Sequence, residues 1–243
     1  MSWEGALTNP DDVYPGFVRG EMANIVKRTL KAGATVPLTF IGVGMTAVVF
    51  ESRGRAWKTA RHADSSTNRE WIEDEAEYLA AVTKVPAIAR HFPRLYRYHP
   101  HEVVIEREII MGPSKSLYRG GSGYVDTNAL AEKIEKAMSA LGWGHPEPKE
   151  DSVRLRENGT PVFVNAGMAP RFGRNLLDYA HEVARGKRAR PKSISDLAWA
   201  IRADVMGISR FPVQTSKSEA KAAIEALAKL DPRARKHARD LSD

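Results

Sequence analysis

Residues 40–58 read FIGVGMTAVVFESRGRAWK, and how this stretch folds decides the reading of the rest. Gly42-Val43-Gly44 predicts a tight turn, and Ala47, Val49 and Phe50 predict a half-buried strand. Ser52-Arg53-Gly54-Arg55 reads as a second turn, leading into Ala56-Trp57-Lys58. Glycines in such a hairpin let backbone N–H groups close on a polyphosphate, and a lysine on the next strand sets a fixed positive charge beside it.

Outward from this hairpin, residues 17–33 place Phe17, Met22, Ile25, Val26 and Leu30 at helical spacing and end at Gly33. A helix is predicted over about residues 66–82, with Trp71, Ile72, Ala76, Leu79 and Ala80 on one face. Thr67 is its expected N-cap, with Glu70 three residues on as in a capping box. Residues 92–98 and 102–110 read as strands separated by His99-Pro100-His101, and the Ser- and Gly-rich residues 113–123 read as a linker.

An amphipathic helix is predicted at 127–141, then strands at 152–156 and 161–164 around Glu157-Asn158-Gly159, a strong hairpin signal. Helices follow near 175–184, 195–205 and 218–230. Strands dominate early and helices late, which is an α+β layout with a break near residues 111–123.

Composition excludes several classes of protein. The 243 residues are 42% hydrophobic and 28% charged, ordinary for a globular protein with a proper core. The absence of cysteine removes disulfides and thiolate metal sites. No apolar run approaches the roughly 18 residues that span a membrane. The start MSWEGALTNPDD is unlike a secretory signal, so a cytoplasmic location is expected.

The net charge is +7, and part of it is concentrated in Arg185, Lys187, Arg188, Arg190 and Lys192. That run has no interleaved aromatics for base stacking and reads as a solvated loop between helices. Nucleic acid is therefore not an expected partner. His99 and His101 have no third ligand nearby and read as a surface turn. Trp57, Trp71, Trp143 and Trp199 read as core anchors.

The pattern G-x-G-x-x-A-x-V followed by A-x-K resembles the first two motifs of the protein-kinase superfamily, in a divergent, compact form of bacterial or phage type. The resemblance implies a two-lobed α+β fold. Residues 1–33 would be an extension with a helix, 34–112 a small β-rich N-lobe, and 113–243 a reduced helical C-lobe. It implies ATP as cofactor, with Gly42, Gly44, Ala47, Val49 and Lys58 around the phosphates. Glu75 stands where kinases place the glutamate that pairs with the strand lysine, with Glu77 as the alternative. The backbone of Glu106 to Glu108 would form the hinge that meets the adenine edge.

In the kinase catalytic loop, H-R-D-x-K-x-x-N, the resemblance sets His145 and Lys149 in register. Glu147 replaces the catalytic aspartate and Ser152 the metal-binding asparagine, while Asn165 replaces the metal-binding aspartate of D-F-G. A glutamate carries its carboxylate about one bond further out, and positioning errors near 1 Å can cost roughly 100-fold in rate. Ser152 and Asn165 offer neutral oxygens, which hold magnesium less strongly than a carboxylate; Asp151 could substitute after a one-residue shift. Two functions follow. One is an ATP-binding pseudokinase acting through protein contacts. The other is an atypical protein kinase or small-molecule phosphotransferase using Glu147 as base. A protein partner or protein substrate is expected in either case.

Overall fold

The computed structural model describes residues 38–44, 46–61, 65–114, 128–146, 152–167, 169–188, 190–208, 215–239 and 241. The helix expected at 17–33 and most of the linker expected at 113–123 lie outside them. The chain divides into two compact units, Met1–Glu73 with Arg94–Ile109, and Asp74–Pro93 with Ile110–Asp243. Residues 74–93, expected in the N-lobe, thus group with the second unit, and the later crossover falls after Ile109.

The first unit carries a five-stranded antiparallel sheet of β1 (Thr39–Val43), β2 (Ala47–Ser52), β3 (Arg55–Ala60), β4 (Leu95–His99) and β5 (Val104–Glu108), in the order β1-β2-β3-β5-β4. Arg53 and Gly54 both have positive φ, +51° and +74°, forming the two-residue hairpin turn whose twist matches the flanking strands. Glu51 Oε1 accepts from Gly54 N–H at 2.7 Å. Gly42 lies within β1 next to a bulge, so the first turn begins at Gly44, later than the sequence predicts. Val48, Phe50 and Ser52 are the deeply buried alternating residues of β2, whereas Val49 is half-buried and belongs to the other face.

His99 closes β4 as a buried residue, its ring 6.1 Å from that of Trp57, so it is a sheet residue and not part of a surface turn. β5 begins later than predicted because Val103 holds a left-handed φ of +55°.

Helix α1 (Ser66–Val82) passes from the first unit to the second at Glu73–Asp74. Its cap is Ser65, whose hydroxyl accepts from Asn68 N–H at 3.3 Å, and not Thr67, which is already inside the helix. The buried stripe is Asn68, Ile72, Glu75, Ala76, Leu79 and Val82, joined by Tyr78; Ala80 is exposed.

The second unit continues with the one-turn α2 (Pro86–Ala89), α3 (Asn128–Ser139) and the hairpin β6 (Val153–Leu155) and β7 (Pro161–Phe163). Helices α4 (Gly173–Ala184), α5 (Ile194–Val205), α6 (Lys217–Ala228) and α7 (Arg235–Arg239) follow. Leu176, Leu177, Ala180 and Val183 of α4 meet Leu197, Ala198 and Ile201 of α5 and Ala220, Ala223, Ile224 and Leu227 of α6. These are i, i+3 and i+4 stripes, and alanines at α6 let the helices approach closely. A second cluster of rings, Tyr78, Phe92, Trp143 and Phe163, packs at centroid distances of 5.4 Å. The fold is α+β, sheet first and helices after, in the element order the kinase resemblance implies.

Candidate functional site

Strand register places the candidate groups of the first unit. Gly42 pairs with Val49, Val49 with Lys58, and Lys58 with Ile105. Directly opposed residues in antiparallel strands share a face, so these four stand in one row across the sheet. Ala47, two residues from Val49, is on the same face. Lys58 is 5% exposed, with Ile105 beside it fully buried. A buried ammonium is costly unless an anion or hydrogen-bond acceptors compensate it.

The turn above β2 is closed by Gly44 N–H donating to Ala47 O at 2.8 Å, and Arg61 N–H, just past β3, donates to Thr46 O at 2.8 Å. A Cβ on Gly44 would meet only Ala47 O, at an ordinary 3.9 Å. Among the described residues nothing therefore requires glycine there.

Glu106 and Glu108 lie on the opposite face from Lys58, because they pair with Trp57 and Arg55. Glu106 is 1% exposed, forms an ion pair with Arg55, and lies 4.0 Å from His99 Nε2. β5 is an inner strand: Glu106 is flanked by Trp57 and Arg97, and Glu108 N–H donates to Arg94 O at 2.8 Å. Their backbone pairs on both sides within the sheet, which moves the hinge expected at Glu106–Glu108 to the chain that follows; the strand ends at Glu108. A strand pattern in sequence does not reveal where pairing stops.

In the second unit, Glu75 is 0% exposed at the centre of the α1 stripe. Glu77, the alternative, is half-buried and engaged elsewhere: it pairs with Arg171 at 2.8 Å and with Arg188. Ser152 and Asn165 come to the same end of the β6–β7 hairpin, with Val164 N–H donating to Ser152 O at 2.8 Å and Val153 opposite Phe163. Ser152 is buried and Asn165 exposed. His145 packs edge-on to Phe163 at 5.9 Å, and burial holds its imidazole below the usual histidine range. Glu147, Lys149 and Asp151 lie outside the described residues.

Both donors at the hairpin end are neutral, and among the described residues no group of three or more His, Cys, Asp or Glu converges to hold a metal. Those donors do not fit a tightly held magnesium ion.

Gly112 anchors the hairpin: a Cβ there would overlap the Leu155 carbonyl, while Arg154 Nη1 donates to Gly112 O at 3.1 Å and Leu155 N–H to Pro113 O at 3.1 Å.

Sequence reasoning missed a polar cluster in this unit. Arg171 donates to Asp74 at 2.7 Å and Glu77 at 2.8 Å, and Arg188 to Asp74 at 3.0 Å. The two guanidinium groups lie over Tyr179 at 4.8 and 5.2 Å, and Arg171 also lies over Trp143 at 4.1 Å. Burial raises the Asp74 carboxyl above its usual range, against the pull of both arginines. Arg188 is thus no solvated loop residue, although it sits in the basic run of the sequence. Asp74 and Glu77, three apart on one helix, were the sequence signal; the arginine partners were not legible.

Beside the cluster lies a cavity of about 400 Å³ lined by Arg171, Phe172, Leu176, Tyr179, Trp199 and Ile208 among others. Trp57 and Trp143 are buried as expected, but Trp199 is 51% exposed. No described helix is long and apolar enough to cross a membrane.

No protein-family model matches the chain, and no curated protein matches it. Among solved structures it is similar to a choline/ethanolamine kinase family protein from Mesorhizobium loti. The two are 14% identical, the match covers 92% of this chain and 98% of that one, and the TM-score is 0.39.

Proposed function

We propose that this chain is a kinase-like ATP-binding protein whose catalytic loop is degenerate. The observation that carries this reading is the row Gly42–Val49–Lys58 across one face of the sheet, with the lysine buried and Gly44 next to it uncrowded by any described residue. Glycine backbone and one fixed cation are what a polyphosphate needs. The kinase resemblance gives Glu75, which is buried, the role of the glutamate that serves such a lysine. The adenine edge would meet backbone beginning at Ile109. Ser152 and Asn165 supply neutral oxygens, so magnesium would add little to affinity.

Action through protein contacts is the proposed role, in the cytoplasm. Its support is the exposed apolar pair Trp199 and Ile208 at the cavity of the second unit. A second reading, phosphoryl transfer with Glu147 as base assisted by Lys149, is favoured by the meeting of Ser152 and Asn165 at one hairpin end.

Calorimetry with ATP, with and without magnesium, tests binding. Weak affinity that changes little on chelation and falls at least tenfold in Lys58→Met is expected. Binding unaffected by Lys58→Met would overturn the site. Radiolabelled phosphate transfer, lost in Glu147→Gln while ATP binding persists, would replace the first reading by the second.

A further inference from the structure

In the second unit the start of α5 and the segment of residues 232–239 line one cavity. Residues 185–192 lead directly into Ser193, and Ser193 lines a cavity of about 580 Å³ together with the chain's C-terminal basic segment. Four cationic side chains line that cavity: Arg233, Arg235, Lys236 and Arg239. Arg233 is held by Asp231, with Nη2–Oδ2 at 2.9 Å and Nε–Oδ1 at 3.0 Å. No described carboxylate pairs with Arg235, Lys236 or Arg239, all of them exposed. Asp196 is the one acidic residue among the lining residues, so the wall is strongly positive.

Hydroxyls complete the wall. Ser193 Oγ accepts from Asp196 N–H at 3.1 Å, which leaves its own proton for an anion. Ser195 lines the same cavity, with its Oγ 3.4 Å from His237 Nε2. No aromatic side chain and no large aliphatic one lines it, so it offers nothing on which a base could stack.

We infer that this cavity binds a compact anion bearing two or more phosphates on a polar body. Arginine forks match phosphate oxygens in pairs, and the two guanidinium groups of Arg235 and Arg239 with the Lys236 ammonium, none held by a described carboxylate, exceed what a single phosphate can engage. The volume is larger than one phosphate fills. The site is separate from the glycine turn and does not depend on the nucleotide reading. A free oligophosphate or phosphorylated polyol and a multiply phosphorylated lipid headgroup present the same chemistry.

The test is calorimetric titration of the full chain with tripolyphosphate, in the native protein and in Lys58→Met, which removes the lysine of the other phosphate-binding candidate. Retained binding in Lys58→Met is expected, weakened at least tenfold by adding Arg235→Glu and Lys236→Glu. Orthophosphate at matched ionic strength should bind at least tenfold less tightly. A control pair on α3, Lys133→Glu with Lys136→Glu, changes net charge equally and should leave affinity within about twofold. Thermal melting checks that each variant folds.

Sedimentation with phosphatidylcholine vesicles carrying a bisphosphorylated inositol lipid separates the sources. Co-sedimentation sensitive to Arg235→Glu and Lys236→Glu assigns the headgroup, and its absence with tripolyphosphate binding intact assigns the free anion. An equal loss in the control pair means diffuse charge and overturns the site. So does binding that disappears with Lys58→Met alone. Tighter binding of single-stranded RNA than of tripolyphosphate at equal phosphate concentration would overturn it in favour of nucleic acid.

Discussion

Lys58 and Glu106 occupy adjacent strands of one sheet, and strand register alone decides that they face opposite sides. Asp74, Arg171 and Arg188 come instead from segments as far as 114 residues apart and meet through side chains. In the first unit a buried charge is located by alternation, so its face follows from its position on the strand. In the second, the charges locate one another, and each depends on the others for compensation. A sheet site of the first kind tolerates loss of a neighbouring side chain better than loss of register. A side-chain cluster of the second kind fails when one member is deleted.

The sharpest test removes Arg171. Its side chain is 6% exposed and bonds Asp74, Glu77 and Asn175 while covering Trp143. Arg171→Met keeps some apolar contact but leaves Asp74 with Arg188 alone. A loss of about 3 kcal/mol in urea unfolding is expected. A loss below about 1 kcal/mol would mean that the cluster does not hold its members in place.

Two glycines divide the units next. Gly112→Ala drives a methyl into the Leu155 backbone, and about 1–3 kcal/mol of destabilisation is expected from the forced shift. Gly44→Ala meets no obstacle and should change stability by less than about 0.5 kcal/mol, while weakening ATP binding. Equal stability losses at both positions would erase the distinction between a packing glycine and a ligand glycine.

Helix capping gives a smaller effect. Ser65→Ala should cost about 1 kcal/mol through loss of the hydrogen bond from Asn68 N–H, and Thr67→Ala close to nothing. The reverse order in thermal melts would restore Thr67 as the cap.

Acid sensitivity should trace the second unit. Burial lowers both His91 and His145 below the usual histidine pKa; His91 also has its Nδ1 3.0 Å from Pro161 O. For a lowered histidine the folded state binds the proton less well than the unfolded one. That stability is present above about pH 6.5 and is lost as pH falls through the lower, folded values. The urea midpoint should decline between pH 7 and pH 5, with the slope reduced in His91→Gln combined with His145→Gln. An unchanged slope in that variant would assign the acid sensitivity to other groups.

Most of the element order was legible because it rests on local signals. Gly54 and Gly159 each supply the residue that readily takes positive φ, +74° and +76°, and at the second hairpin Thr160 N–H also donates to Asn158 Oδ1 at 3.1 Å. Three of the four described α-helices after residue 170 were legible because their apolar residues recur at helical spacing. Details that depend on competition between neighbours were not. Ser65 and Thr67 both qualify as caps by residue type, and only the chain path at Ser65 sets which hydroxyl reaches an N–H. Gly42 was read into the turn because a bulge within β1 has no sequence signature distinct from a turn.

By itself the sequence determined the α+β class, the two hairpins and Lys58 on the strand after the Arg53-Gly54 turn, since each is written in residues within a few positions of one another. Tertiary structure alone decided that Gly42, Val49 and Lys58 form one row while Glu106 turns away, because the face depends on the register between strands. It also decided that Arg188 leaves the basic run to pair with Asp74. Ser193, which follows that run in sequence, lines the cavity with Arg233, Arg235, Lys236 and Arg239. Charges distant in sequence are paired by where helices pack, and no local pattern of side chains encodes that choice.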